Sequence, residues 1–404
     1  MVNEFFGSAA DWASAMCYAA AAIGCLYALL AAWAARGFVG TPSSLTKKIY
    51  PAVTVLKPLS GTEPNLCANL ARFCGQDYPS PVQIIFGVDD PADPAVGIVR
   101  DLITAFPDRD IELVVNACRH GANRKVSNLI NMVVQARHDV LVISDSDIIV
   151  GCDYLKAIAA SLDQPGVGLV TCLYRGASAA GLWARLAAAA IDYHFLPSVL
   201  VGLKFGIATP CFGSTIAMRK KTLGMIGGFE SVADQLADDY ALGVLVRRAG
   251  LTVAIPNTIV AHDCAEKTAV DLFRHEMRWA RTIRSVDPLG FAGLAITHAL
   301  PLALLGALLG GITPAGFIVV AALACRFVLQ VELDRALCLR DDVFWPGPLR
   351  DMMSFGVFVA SFFCRGIEWR GHRYAVRADN TLAYYGEINR DADSVPSSAL
   401  VRRV

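Results

Sequence analysis

Residues 13–35 carry no charge over 23 positions and show no polar face, which is longer than the ~20 residues a membrane-crossing helix needs. This predicts a transmembrane anchor within residues 1–38. Glu4 and Asp11 precede the run and Arg36, Lys47 and Lys48 follow it, so it lacks the basic leader of a cleavable signal peptide. The basic flank on its far side predicts that the chain beyond it lies in the cytoplasm. From residue 50 the pattern changes to short β-branched runs alternating with stretches of helical period. "AVTVLKPL" reads as a strand ended by Pro58, "NLCANLARFCGQ" as a helix, and "VQIIFGVDD" as a strand that stops on Asp89 and Asp90. A helix at 95–105, the strand "IELVVN", a helix at 125–136 and the strand "DVLVISDSD" continue the order. Such alternation predicts an α/β, Rossmann-like domain over residues 50–287, with a mostly parallel sheet and helices on both faces.

The pattern loosens over 166–262. There "GLWARLAAAAIDYHFLPSVLVGLKFG" is apolar but interrupted by Arg185, Asp192, His194, Pro197 and Lys204. It predicts a helix lying in the membrane interface, with a buried core helix as the alternative. Residues 290–331 are long enough for two spans turning at "GGITPAG", placing a membrane domain at 288–335 in which Arg326 would snorkel to the interface. "MMSFGVFVASFFC" is short for a crossing and predicts a re-entrant or interfacial segment over 349–366. That leaves 367–404 as a basic cytoplasmic tail.

A mean hydropathy of +0.46 agrees with a chain partly in lipid. The 36 basic and 36 acidic residues balance, which argues against a nucleic-acid partner held by bulk charge. The 12 cysteines form no C-x-x-C pair and read as reduced packing residues rather than a zinc site or disulfide framework.

Candidate chemistry concentrates where strands end. Asp145 and Asp147, spaced by one serine, offer two hard carboxylates to one Mg²⁺ or Mn²⁺ whose remaining ligands would be water and phosphate oxygens. A solvated strand-to-loop turn has the same sequence. Asp89 and Asp90 stand at a carboxyl end, where open α/β sheets bind ligands, or form an Asx turn before Pro91. "GANRKVSNLIN" puts Gly121, Lys125 and Asn128 at a helix start suited to phosphates, or equally to a solvated cap. Asp238 and Asp239 open an apolar helical run, where the helix dipole favours acids in any case. His194 is a candidate acceptor contact or a packed histidine. His262, closing "TVAIPNTIVAH", is a candidate metal or diphosphate contact or a structural one.

These motifs in this order, followed by "RHEMRWARTIR", resemble the ceramide glucosyltransferase-like GT-A glycosyltransferases over roughly residues 50–380, and within them the bacterial hopanoid-associated branch. The resemblance implies a GT-A fold with N-terminal and C-terminal transmembrane helices. It implies that Asp90, with Asp89 beside it, holds the uracil of a UDP-sugar, that Asp145 and Asp147 carry the metal and diphosphate, and that Asp239 is the catalytic base. Arg278 and Trp279 match the end of a (Q/R)-x-x-R-W signature that meets diphosphate and acceptor. Its first position falls on His275, where the family carries Gln or Arg, and Arg274 stands just before it. "CFGSTIAMRK" and "IGGF" resemble the acceptor-side loop, with Cys211 and Gly213 in the first and Gly227 and Gly228 in the second, and Asp238 lies on the same side.

The implied enzyme is a metal-dependent, inverting, UDP-sugar-dependent transferase. It would sit in a bacterial inner membrane as a multi-pass protein with its catalytic domain facing the cytoplasm, and glycosylate a membrane lipid. The hopanoid branch implies transfer of N-acetylglucosamine to bacteriohopanetetrol; the ceramide branch implies transfer of glucose to ceramide.

Overall fold

Strand and helix alternate through the first half of the chain as its pattern requires. The computed structural model describes residues 2–38, 49–178, 181–310, 315–337, 339, 347–364, 367–369, 372–376 and 381–387. Helix α1 (Val2–Phe38) is followed by β1 (Val53–Pro58), α2 (Leu66–Cys74), β2 (Val82–Val88), α3 (Ala95–Ala105) and β3 (Asp110–Val115). Then come α4 (Arg124–Val133), β4 (Val140–Ile143), β5 (Ile148–Ile149), α5 (Tyr154–Leu162), β6 (Val167–Thr171) and β7 (Leu173–Ser178). Helices α6 (Leu182–Ala190) and α7 (Leu196–Lys204) are joined by one π turn, Ile191–Phe195. Strand β8 (Ile216–Arg219), α8 (Lys220–Met225), α9 (Asp238–Arg248), β9 (Thr252–Ala254), β10 (Ile259–Cys264) and α10 (Ala269–Val286) complete the domain.

The main sheet runs β3-β2-β1-β4-β8-β6-β9. Its pairs are parallel except those β8 makes with β4 and β6. Successive side chains alternate faces, so β4 sends Val140 and Val142 into one core and Leu141 and Ile143 into the other. Helices α2, α3 and α5 cover the first face, and α4 and α9 the second. A smaller sheet, β5-β10-β7, brings β10 against the loop that follows β4.

The remaining helices are α11 (Pro288–Gly293), α12 (Ala299–Gly310), α13 (Ala315–Leu337) and α14 (Gly347–Phe363). Among the described residues, three helices are long and apolar enough to cross a membrane, at residues 9–36, 182–204 and 316–337, or four if α11 with its 3-10 extension and α12 make one bent span. The first of the two spans expected in 290–331 is therefore broken: residues 288–297 meet α12 at a 70° bend. Pro301 explains it, because its ring crowds the carbonyl four residues back, at Thr297, and it donates no hydrogen bond. The expected turn at 311–314 lies outside the described residues, as does the linker at 39–48. The 182–204 segment, expected at the interface or in the core, is mostly buried against its neighbours.

Arg326 does not snorkel. It is buried, donates Nη1 to the Tyr193 carbonyl at 3.0 Å, and places Nη2 2.7 Å from Asp351 Oδ1 and 2.8 Å from His194 Nε2. A buried carboxylate within reach stabilises the guanidinium where it stands and removes the reason to extend to water. A second buried pair joins Arg350 of α14 to Glu276 of α10 in two hydrogen bonds of 2.7 and 2.6 Å. Helix α1 packs on α12 and α13, with Ser14 Oγ donating to the Gly306 carbonyl at 2.8 Å and Arg36 forking onto Glu332 at 2.7 Å.

Part of the segment expected as a basic tail is in strands. β11 (Ile367–Trp369), β12 (His372–Val376) and β13 (Leu382–Glu387) form an antiparallel sheet. Residues 388–404 lie outside the described set.

Candidate active site

Asp145 and Asp147 sit in the tight loop between β4 and β5, at the carboxyl end of the central parallel strands. Three contacts hold this loop. Lys57, at the end of β1 and fully buried, donates to the Asp145 carbonyl; Ser146 Oγ donates to Glu63 Oε1 at 3.0 Å; and the Asp263 amide donates to the Asp147 carbonyl at 2.8 Å. The Lys57 ammonium also stands 3.9 Å over the Phe73 ring. Burial pulls its pKa down to about 7 against the opposing pull of Asp147, Asp145 and Glu63.

Opposite this loop, the N-terminus of α4 supplies Lys125, whose Nζ lies 2.7 Å from Asp145 Oδ1 and 3.5 Å from Asp238 Oδ2. Burial disfavours its charge, but Asp145, Asp238 and Asp239 outweigh that and hold the ammonium well above the ordinary lysine range. Asn123 caps α4 by accepting from the Val126 amide, while its Nδ2 donates to Asp238 Oδ1 at 3.2 Å. Asp239 accepts from the Gly213 and Tyr240 amides, both at 2.8 Å. Burial and the neighbouring Asp238 push its pKa up to about 6 in spite of Lys125 and those two amides.

Gly213 marks where these groups meet. A Cβ placed there would stand 2.8 Å from Asp145 Oδ2, 3.1 Å from Lys125 Nζ and 3.5 Å from Asp239 Oδ2. Carboxylates 94 positions apart in sequence thus face one small volume.

His262, within β10, places Nδ1 3.6 Å from Asp147 Oδ1. That is an ionic approach and too long for a hydrogen bond, so Asp147 Oδ1 is buried without a hydrogen-bond partner. Burial works against the charge on each group, yet each stabilises the other: His262 is raised, and Asp147 lies well below the usual carboxylate range. A ring cluster continues from His262 to Trp279 (5.5 Å between centroids), His275 (4.6 Å from Trp279), Tyr174, Phe195 and Phe212. His275 Nδ1 meets Glu266 Oε1 at 2.5 Å, which leaves Nε2 buried without a partner. Arg278 is half-buried on the same helix, one residue before Trp279.

The remaining candidates are placed differently. Asp89 accepts from Arg124 at 2.8 Å and pairs with Arg119 at 3.0 Å, while exposed Asp90 closes an Asx turn onto the Ala92 amide. Asn128 donates to the Gly87 carbonyl at 2.7 Å and holds α4 on β2, its Oδ1 buried and unpaired. Cys211 is buried in the core under α9. His194 is spent on Arg326 and Asp351, away from the acid cluster. Gly227 and Gly228 adopt φ of 88° and 74°, so the backbone turn there demands glycine rather than a close approach of ligand.

Lys57, Asn123, Glu63 and Glu266 were not among the expected site residues. Strand parity carries a signal for the first: Val53, Val55 and Lys57 share one face, and the other two are fully buried.

Among the described residues no group of three or more His, Cys, Asp or Glu is arranged to hold a metal alone. Asp147 Oδ1, buried without a hydrogen-bond partner in the same loop as Asp145, nevertheless suits a hard divalent cation that takes other ligands from phosphates and water.

The model of "Glycosyl transferase family 21" matches residues 16–382. The chain is 35% identical over 134 residues to a ceramide glucosyltransferase of Candida albicans, covering 30% of this chain and 24% of that protein. It is 27% identical to ceramide glucosyltransferase 1 of Caenorhabditis elegans, over 57% of this chain and 49% of that one. It is 25% identical to an N-acetylglucosaminyltransferase of Rhizobium meliloti, over 57% and 55%. The chain thus spans a quarter to about half of the length of these relatives. A solved mannosyltransferase, PcManGT from Pyrobaculum calidifontis in complex with GDP-Man and Mn2+, superposes with a TM-score of 0.52 at 21% identity, over 87% of this chain and 98% of that one. That likeness bears on fold alone, and identifies the mixed sheet as GT-A-like.

Proposed function

The chain belongs to glycosyl transferase family 21, and from that membership and the site geometry we propose that it is a membrane-bound, inverting sugar transferase acting on a lipid hydroxyl. The observation that carries this reading is the meeting of Asp145, Lys125 and Asp239 around Gly213. The donor we assign is UDP-N-acetylglucosamine and the acceptor bacteriohopanetetrol. The bacterial relative named as an N-acetylglucosaminyltransferase and the hopanoid-branch resemblance support this choice. The relatives named ceramide glucosyltransferase support a second reading, glucose transfer from UDP-glucose to ceramide.

In this mechanism Asp239 removes the proton of the acceptor hydroxyl while that oxygen attacks the anomeric carbon opposite the leaving UDP, so the anomeric configuration inverts. Asp238 is ill-suited to that task because Asn123 and Lys125 already engage its carboxylate. Lys125 and Arg278 supply fixed positive charge to the diphosphate. Asp145 and Asp147 would hold a divalent cation, which when bound supplies Lewis-acid neutralisation of the leaving group. Asp89 and Asp90 border the uracil end, and Arg119 and Arg124 hold the Asp89 carboxylate in place there. The rings of Tyr174, Phe195, Phe212 and Trp279 line the acceptor's approach beside His275. The catalytic domain is assigned to the cytoplasmic side, a choice supported by the basic Arg36 in the last turn of α1.

The test is mass spectrometry of lipid products from membranes supplied with each UDP-sugar and each lipid. N-acetylglucosaminyl-bacteriohopanetetrol is the expected product. Glucosylceramide alone would select the second reading, and UDP release with no glycolipid would reject both.

A base works only when ionised, and acidification through about pH 6 protonates Asp239. The pH profile of kcat/KM should therefore fall tenfold per unit below about pH 6 on its acid limb and level off above it. A profile flat down to pH 5 would remove Asp239 from the chemistry. Gly213→Ala should lower turnover by about 10- to 100-fold, because the added methyl must displace Asp145 or Lys125. Wild-type turnover in that variant would mean the three groups do not act together.

A further inference from the structure

The small C-terminal sheet touches the acceptor side of the site at two places. Strand β11 lies against α10, the helix of His275, Arg278 and Trp279. At the start of β13 the Leu382 amide donates to the Asp234 carbonyl at 2.7 Å, Thr381 forms an antiparallel bridge with Gln235, and the Leu382 side chain is buried.

Asp234 and Gln235 belong to the loop that leads into α9, and they tie its far side to the start of α4. The Ala122 amide donates to Asp234 Oδ1 at 2.8 Å, and the Asn123 amide donates to the Ala233 carbonyl at 2.8 Å. Asn123 Nδ2 donates to the Gln235 carbonyl at 2.9 Å and to Asp238 Oδ1 at 3.2 Å. Gly121 permits this approach, since a Cβ there would stand 2.5 Å from the Ala233 carbonyl oxygen. An unbroken series of hydrogen bonds thus runs from β13 through this loop to Asn123 and Asp238, and reaches Lys125 two residues further along α4. On its inner side it ends at the ammonium beside Asp145 and the carboxylate adjoining Asp239.

We propose that the C-terminal sheet is an intramolecular clamp whose Thr381–Leu382 edge positions Asp239 for transfer, Lys125 keeping its own contact with Asp145. The inference rests on the transferase reading above. Leu382 acts as a positioning residue: it touches no reacting atom, and its effect passes through Asp234 and Gln235. The clamp gives the strand-forming C-terminal segment a task in catalysis, since it holds the loop before α9 from outside while leaving Asp145 and Asp147 to their own supports on β1 and β10.

The experiment uses the full chain in lipid nanodiscs, with Leu382→Asp to undock the edge and Leu382→Met as the conservative control. Three quantities are read. They are amide hydrogen exchange over 231–239 and 119–126, equilibrium binding of UDP, and transfer of N-acetylglucosamine from UDP-N-acetylglucosamine to bacteriohopanetetrol. Leu382→Asp should raise exchange in both segments and lower kcat by about 10- to 100-fold, the scale of a displacement of about 1 Å in a catalytic group, with UDP affinity within about threefold of wild type. Leu382→Met should match the wild type in all three. Unchanged exchange in Leu382→Asp would overturn the clamp whatever the enzyme transfers. So would raised exchange with wild-type kcat, or a loss of UDP affinity and melting temperature in proportion to kcat. Absence of transfer by the wild-type protein would instead strike the reading beneath it, and the exchange data would still decide whether the edge is clamped.

Discussion

Asp239→Asn should cut turnover by about 10²- to 10⁴-fold while leaving nucleotide-sugar binding near its wild-type value. The amide keeps the shape of the carboxylate and, with its oxygen turned to the Gly213 amide, one of the two backbone hydrogen bonds. It has no basic oxygen to take the acceptor proton, so the loss should appear in kcat rather than in donor affinity. Asp238→Asn makes the contrast. Asp238 is paired with Lys125 and Asn123, so its replacement should disturb the position of Lys125 and affect donor binding together with turnover. Steady-state kinetics and direct UDP binding on the two variants separate these outcomes. If Asp239→Asn turns over near the wild-type rate, another group is the base.

The second large effect is on stability. Glu276→Ala should destabilise the protein by about 3–5 kcal/mol, because it leaves the Arg350 guanidinium buried with its principal partner gone. Arg350 is 1% exposed, and its other contacts, Ser354 Oγ at 3.1 and 3.2 Å and the Leu186 carbonyl at 3.4 Å, are neutral. Removing both charges in Glu276→Leu/Arg350→Met should recover most of the loss, since neither side is then left uncompensated. Denaturant unfolding in detergent micelles measures both variants. A double variant as unstable as the single one would mean that the pair holds α10 to α14 by shape rather than by charge.

Much of the catalytic sheet is legible in the sequence because its information is local. The apolar runs that become β1, β2 and β4 end where Pro58, Asp89 and Ser144 interrupt them, and α3 occupies the 95–105 span its periodicity predicts. The acids at 145, 147 and 239 can be singled out by spacing and position, but the meeting of Asp145 with Asp239 at Gly213 depends on chain crossings that no window of residues contains. Lys57 hides for a different reason: a lysine near the end of a strand usually reaches solvent, and only the face it shares with Val53 and Val55 says otherwise. Arg326 misleads through context, because the carboxylate that keeps it buried, Asp351, comes from a helix 25 positions later. The strands at 367–369, 372–376 and 382–387 are concealed because basic residues obscure the two-residue alternation.

Helix α1 meets α12 at two glycines of α12. A Cβ on Gly306 would stand 2.8 Å from the Tyr18 ring, and one on Gly310 would stand 2.2 Å from Ser14 Oγ. Two backbones this near leave no room for a generic greasy stem, and lipid tails cannot substitute for so specific a seam. The first helix is therefore masonry as well as mooring: its small residues are part of the wall that the later helices lean on, and their spacing matters as much as their oiliness.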